Sequence, residues 1–107
     1  NRSPSLCYAL DLGWVVKSGQ DLSEILNELG EKIKIIHFKD FFSKEEGLNT
    51  CHLGEGIIDF SKAWEWIKFQ NMSNIWLTAE QENADDPDIA CRVNGSYLLK
   101  KIKMFGL

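Results

Sequence analysis

The chain has 107 residues, with twelve lysines and arginines against sixteen aspartates and glutamates and a formal net charge of −4. That is one small domain, mildly acidic and without a basic block, so neither a nucleic-acid groove nor an anionic membrane surface is expected as a partner. No apolar run is long enough to span a bilayer, and the N-terminus lacks the basic region and apolar core of a signal peptide, so a cytoplasmic location is expected. The lack of a starting methionine raises the expectation of a piece of a longer protein or a processed product. Cys7, Cys51 and Cys91 are far apart and odd in number. They fit neither a zinc knuckle nor a disulfide framework, and point to a reducing compartment. Cys7, inside an apolar run, is expected to be a small buried side chain.

SLCYALDL, at 5–12, is short, apolar and bounded by Pro4 and Gly13, and predicts a buried strand ending in a carboxylate. GQDLSEILNELGE follows as a helix. Asp21 can cap it with Glu24 at the third position, Leu22, Ile25, Leu26 and Leu29 form its apolar stripe, and Gly30 ends it. KIKIIHF, at 32–38, is the second predicted strand. Residues 40–58 form a long connection with three glycines, expected to be irregular and functional. Asp59 is placed to cap the helix FSKAWEWIKFQN. Its stripe is Phe60, Ala63, Trp64 and Ile67, while Trp66 and Phe69 lie off that face and point to cover on a second side. NIWLTAE, at 74–80, is the third strand. Asp86 before Pro87 starts the last helix. Ile89, Ala90, Val93, Tyr97 and Leu98 form its stripe, with Lys100, Lys101 and Lys103 suiting its carboxyl end.

Strand–helix three times over predicts parallel strands joined by right-handed crossovers. Strands apolar on both faces suit a layered α/β arrangement. Three units alone would leave two open edges and an uncovered face. The chain is therefore expected to belong to a larger sheet, completed by a missing N-terminal segment or by another chain.

Each predicted strand ends on a possible ligand: Asp11, His37 and Glu80. Counting back in twos gives Ala9 and Cys7, Ile35 and Ile33, Thr78 and Trp76 on the same side. The carboxyl edge of parallel strands is where open sheets and barrels place ligands. Two carboxylates and an imidazole suit a divalent ion such as Mn²⁺, Zn²⁺ or Co²⁺, with Mg²⁺ less favoured by the nitrogen. A cation would also relieve the repulsion between the carboxylates. The plainer alternative is that polar residues end these strands because the chain emerges into water.

The stretches ALDLGWVVKSGQD, IIHFKDFF, LGEGIIDFSKAW and WLTAEQENADDPDIACRVNGSYL resemble, in order, the last three strand–helix units of the sugar phosphate isomerase/epimerase family. That family is built on a xylose isomerase-like TIM barrel. The resemblance implies an α/β fold, a TIM (β/α)8 barrel fragment, with residues 1–107 as the C-terminal part of the barrel domain. It implies Asp11, His37 and Glu80 as metal ligands, Glu80 doubling as a catalytic acid–base carboxylate, and a fourth ligand, a glutamate, upstream of Asn1. The implied activity is metal-dependent isomerisation or epimerisation of a small sugar or polyol, by proton transfer through an enediolate. An inosose dehydratase-like lyase, or a non-catalytic partial barrel serving as a binding or structural module, are the alternatives. Where the epimerases carry a histidine three residues after the aspartate, this chain has Trp14. Their arginine after the seventh-strand histidine has no counterpart in DFFSKEEG.

Trp14, Lys39 and His52 are secondary candidates for touching substrate. Trp14 offers a sugar an apolar platform, and His52 is a loop histidine. Lys39 is expected to point away from His37 into solvent unless a turn brings it to a charged group. Asp40 is expected to orient His37, Glu55 to organise the LGEG loop by hydrogen bonding, and Glu82 to lie beyond the strand tip.

Overall fold

The β-branched run at 33–38 becomes the central strand, because it alone has a parallel neighbour on each side. The computed structural model describes residues 7–44, 49–70 and 72–107. The start of the first predicted strand and the sequence EEGL at 45–48 lie outside the described residues. In chain order the elements are β1 (Tyr8–Asp11), α1 (Leu12–Lys17), α2 (Leu22–Leu29), β2 (Ile33–Phe38), β3 (Asp40–Phe41), β4 (Thr50–Cys51), α3 (Ser61–Lys68), β5 (Trp76–Ala79) and α4 (Pro87–Met104). Single 3-10 turns at Gly30–Lys32 and Met72–Asn74 lead into β2 and β5.

β1, β2 and β5 form a parallel sheet in the order β1-β2-β5. Its register places side chains in rows. Leu10, Ile36 and Leu77 are level across the sheet, and so are Asp11, His37 and Thr78. Alternation sends these two rows to opposite faces. The Leu10 face is the core, where Ile36 and Phe38 are completely buried with Leu26, Trp64 and Ile67 of the helices. Phe38 stacks on Trp64 at 4.7 Å between centroids, and Phe60 meets Phe38 edge-on at 5.4 Å. The Asp11 face is open. Trp76 and Ala9 are exposed there, and so is Cys7, against the expectation that it is buried.

The helix signals read from sequence are met at α2 and α4. Asp21 accepts from the Glu24 amide at 3.1 Å, and Gly30 ends α2 with φ of +51°. Asp86 accepts from the amides of Asp88 and Ile89, with Pro87 in the first turn. At α3 the cap is Phe60, one residue later than expected, while Asp59 accepts from the Ser61 amide at 2.9 Å.

The expected fold needs correction. Closing a barrel requires the first strand to bond to the last. Among the described residues β1 and β5 each pair with β2 and not with each other, so both remain sheet edges. The long connection also contributes structure of its own, since β3 and β4 pair antiparallel as a separate ladder. The result is a small mixed α/β domain with no closed barrel and no TIM (β/α)8 fragment geometry. It has a three-stranded parallel sheet, a two-stranded antiparallel pair and four α-helices among the described residues.

That ladder is organised by Asp40, whose side chain is fully buried. One carboxylate oxygen accepts from the amides of Phe41 and Ile58 at 2.9 and 3.0 Å, the other from Gly54 and Gly56 at 3.0 Å each. Four backbone donors stand in for water around a buried charge. Gly56 is obligatory here, since a Cβ would overlap both the Asp40 carboxylate and the Phe41 carbonyl. The expected Asp40–His37 contact is replaced by this one. Replacing Asp40 with Ala leaves those donors without their acceptor and is expected to cost ~4 kcal/mol in urea unfolding, a large part of a small domain's stability. Burial, and then the nearby Asp40 charge, push the Cys51 thiol up to about 11 from an ordinary 9.0. Its folded value is raised, so the stability it contributes is complete below pH 9 and disappears as pH rises toward 11. Melting temperatures followed across that window are expected to fall less steeply in Cys51→Ala than in the wild type.

Candidate functional site

β2 ends in a sharp alternation of roles. His37 and Lys39 are two residues apart and therefore share the open face, while Phe38 faces the core. Lys39 thus lies on the same side as His37, not opposite to it, and it is not solvated. Its side chain is 4% exposed and its ammonium reaches Glu82 Oε1 at 2.7 Å, Asp11 Oδ2 at 3.2 Å and Glu80 Oε1 at 3.5 Å.

Three strand ends supply this arrangement. Asp11 closes β1 and also begins α1, its Oδ1 accepting from the Trp14 amide at 3.0 Å. Gly13 lets α1 fold back closely, since a Cβ there would overlap the Lys39 carbonyl. Glu80 follows β5, where its amide donates to the Phe38 carbonyl at 2.9 Å. Glu82 is fixed through its backbone, which exchanges hydrogen bonds with the Thr50 hydroxyl of β4. Trp14 borders the cluster, packing edge-on against Phe41 at 5.1 Å with its ring 5.6 Å from the Lys39 ammonium.

Burial alone would lower the Lys39 pKa. The hydrogen bond from its ammonium to Glu82 and the charges of Asp11 and Glu80 more than offset this and hold it above the ordinary lysine value. A pair of unit charges near 4 Å gains roughly 4 kcal/mol at an effective dielectric of 20. Three such pairs, even screened on their wet sides, outweigh the several kcal/mol of desolvating one ammonium.

His37 is level with Asp11 and with Thr78, not with Glu80. Its Nδ1 lies 2.7 Å from the Thr78 hydroxyl and 3.9 Å from Glu80 Oε1. His52 sits elsewhere, 3.6 Å from Glu55 Oε2, in a cleft lined also by Phe42, Gln81 and Ile89. A second cavity, between Trp64, Tyr97 and Phe105, shares no residue with the lysine cluster.

The expected metal centre is corrected by this geometry. Among the described residues no group of three or more His, Cys, Asp or Glu side chains is placed to hold a metal ion. Asp11, His37 and Glu80 are brought to one sheet edge, but Thr78 occupies the level expected of Glu80, and Lys39 fills the space between the carboxylates. A divalent ion of Mn²⁺, Zn²⁺, Co²⁺ or Mg²⁺ type therefore does not fit the residues present. Sequence reasoning set Glu82 beyond the tip, yet it makes the shortest contact to Lys39. Its parity with Glu80 was the signal that could have found it.

No protein-family model matches the chain. Over 87 residues it is 32% identical to the inosose dehydratases of Lacticaseibacillus casei and of its strain BL23, covering 67% of this chain. The chain spans 29% of the length of these curated relatives. No described helix is long and apolar enough to cross a membrane. The expectation of a metal-dependent isomerase or epimerase is thus corrected twice, by a donor set that does not form a metal cluster and by relatives named for a dehydration. The chain is a distant relative of inosose dehydratase.

Proposed function

We propose that the chain carries part of a lyase site that removes water from a small polyol ketone of the inosose kind. The observation that carries this reading is the meeting of Glu80 and His37 at the carboxyl edge of the sheet, in a chain similar to two inosose dehydratases. Dehydration beside a ketone needs a base for the proton on the carbon next to the carbonyl, and an acid for the departing hydroxyl.

Glu80, half-exposed and therefore reachable, is the base. Its carboxylate takes the carbon-bound proton, and the C–H electron pair passes into an enolate. When the enolate reverts to the ketone, a carbon–carbon double bond forms and the bond to the neighbouring hydroxyl breaks. His37 as imidazolium gives that oxygen a proton, and it leaves as water. Both side chains are partly open to solvent, so Glu80 releases its proton there and His37 regains one. The net change is the loss of one water. Thr78 fixes the imidazole through Nδ1, which leaves Nε2 for the leaving oxygen. Trp14 offers the carbon skeleton an apolar face beside the cluster. Lys39 acts through Glu80, by holding it in place, and Asp11 in turn holds Lys39.

In the full-length protein, Glu80→Gln is expected to lower kcat for conversion of inosose to the product lighter by one water roughly 10²–10⁴-fold with little change in KM, followed by mass spectrometry. Unchanged turnover in the variant, or no water loss with the wild type, would contradict this role.

A further inference from the structure

We infer that Lys39 is the resident cation of this site: its ammonium lies among Asp11, Glu80 and Glu82, between the two carboxylates, Asp11 and Glu80, that were expected to hold a divalent ion together with His37, and makes Lys39 the positioning residue that aims the Glu80 carboxylate.

An ammonium has three protons to donate, and Lys39 has three carboxylates at 2.7, 3.2 and 3.5 Å to receive them. The carboxylates are wet on their outer sides while the ammonium is almost completely enclosed, so the cation lies at the bottom of the cluster and the anions around it. Several independent contacts hold it there. The Lys39 backbone is pressed by Gly13 of α1, its neighbour Asp40 is bound by four amides, and the Glu82 backbone is tied to Thr50. The Trp14 ring closes one flank. A divalent ion entering this space would have to expel a buried ammonium or accept like-charge repulsion at contact distance.

Lys39 holds these carboxylates whatever reaction Glu80 serves, and metal binding reads this without any turnover. In the full chain, Lys39→Met keeps the bulk of the side chain and removes its charge. Mn²⁺ titrated by calorimetry is expected to bind this variant about tenfold or more tightly than the wild type, a difference of ~1.4 kcal/mol. Lys39→Arg keeps the charge and is expected to stay at wild-type affinity. Equal affinity in wild type and Lys39→Met, including no measurable binding to either, overturns the assignment. Should the methionine variant not fold, the wild type itself carries the test. Millimolar Mn²⁺ leaves its melting temperature unchanged if Lys39 fills the site, and a clear rise overturns it.

Discussion

A carboxylate sealed from water must find donors or give up its charge, and Asp40 finds four backbone amides. That requirement shapes everything beyond the carboxyl end of β2. The chain from Gly54 to Ile58 has to curl around one side chain, which brings Cys51 and Thr50 back alongside Asp40 and Phe41 as an antiparallel pair. Thr50 then reaches the backbone at Glu82. The ladder built around Asp40 thus ties the connection after β2 to the segment after β5.

Lys39 is the counterpart one residue earlier. Consecutive residues of an extended chain point to opposite sides, so the same strand end sends a cation to the open face and an anion to the loop beneath. Both are buried, and both are satisfied by different means: the anion by neutral amides, the cation by carboxylates from the end of β1 and from the stretch after β5. The consequence for chemistry is positional. Asp11, Glu80 and Glu82 would repel one another if left alone, and the ammonium between them makes their approach favourable. Glu80 remains half-exposed beside His37, so the base and the acid proposed for this site are both open to solvent.

The sequence was most informative where one local rule decided the outcome. Asp21 and Asp86 mark helix starts because a carboxylate there has amides within reach, and Gly30 marks a stop because its φ is +51°. The three parallel strands were legible from their apolar runs. Register was not. Nothing in NIWLTAE says that Thr78 and not Glu80 stands level with His37, since register depends on how the preceding helix delivers the strand. α1 escaped notice because Trp14, Val15 and Val16 suit a strand as well as a helix, and because its cap, Asp11, had been given to a metal. β3 and β4 are two residues each, too short for any periodicity, and exist because of Asp40. Lys39 was misplaced by assigning residues 37 and 39 to opposite sides. Correct alternation would have put a cation beside the three carboxylates and removed the need for a metal.

Lys39 as a buried ammonium held by those carboxylates has a clear signature in nitrogen-15 NMR of the lysine side chains. The Lys39 ammonium protons are expected to exchange slowly enough to be observed, and its Nζ signal to stay in the charged form at a pH where that of an ordinary exposed lysine is being lost. A Lys39 signal that exchanges and titrates together with the surface lysines would contradict it.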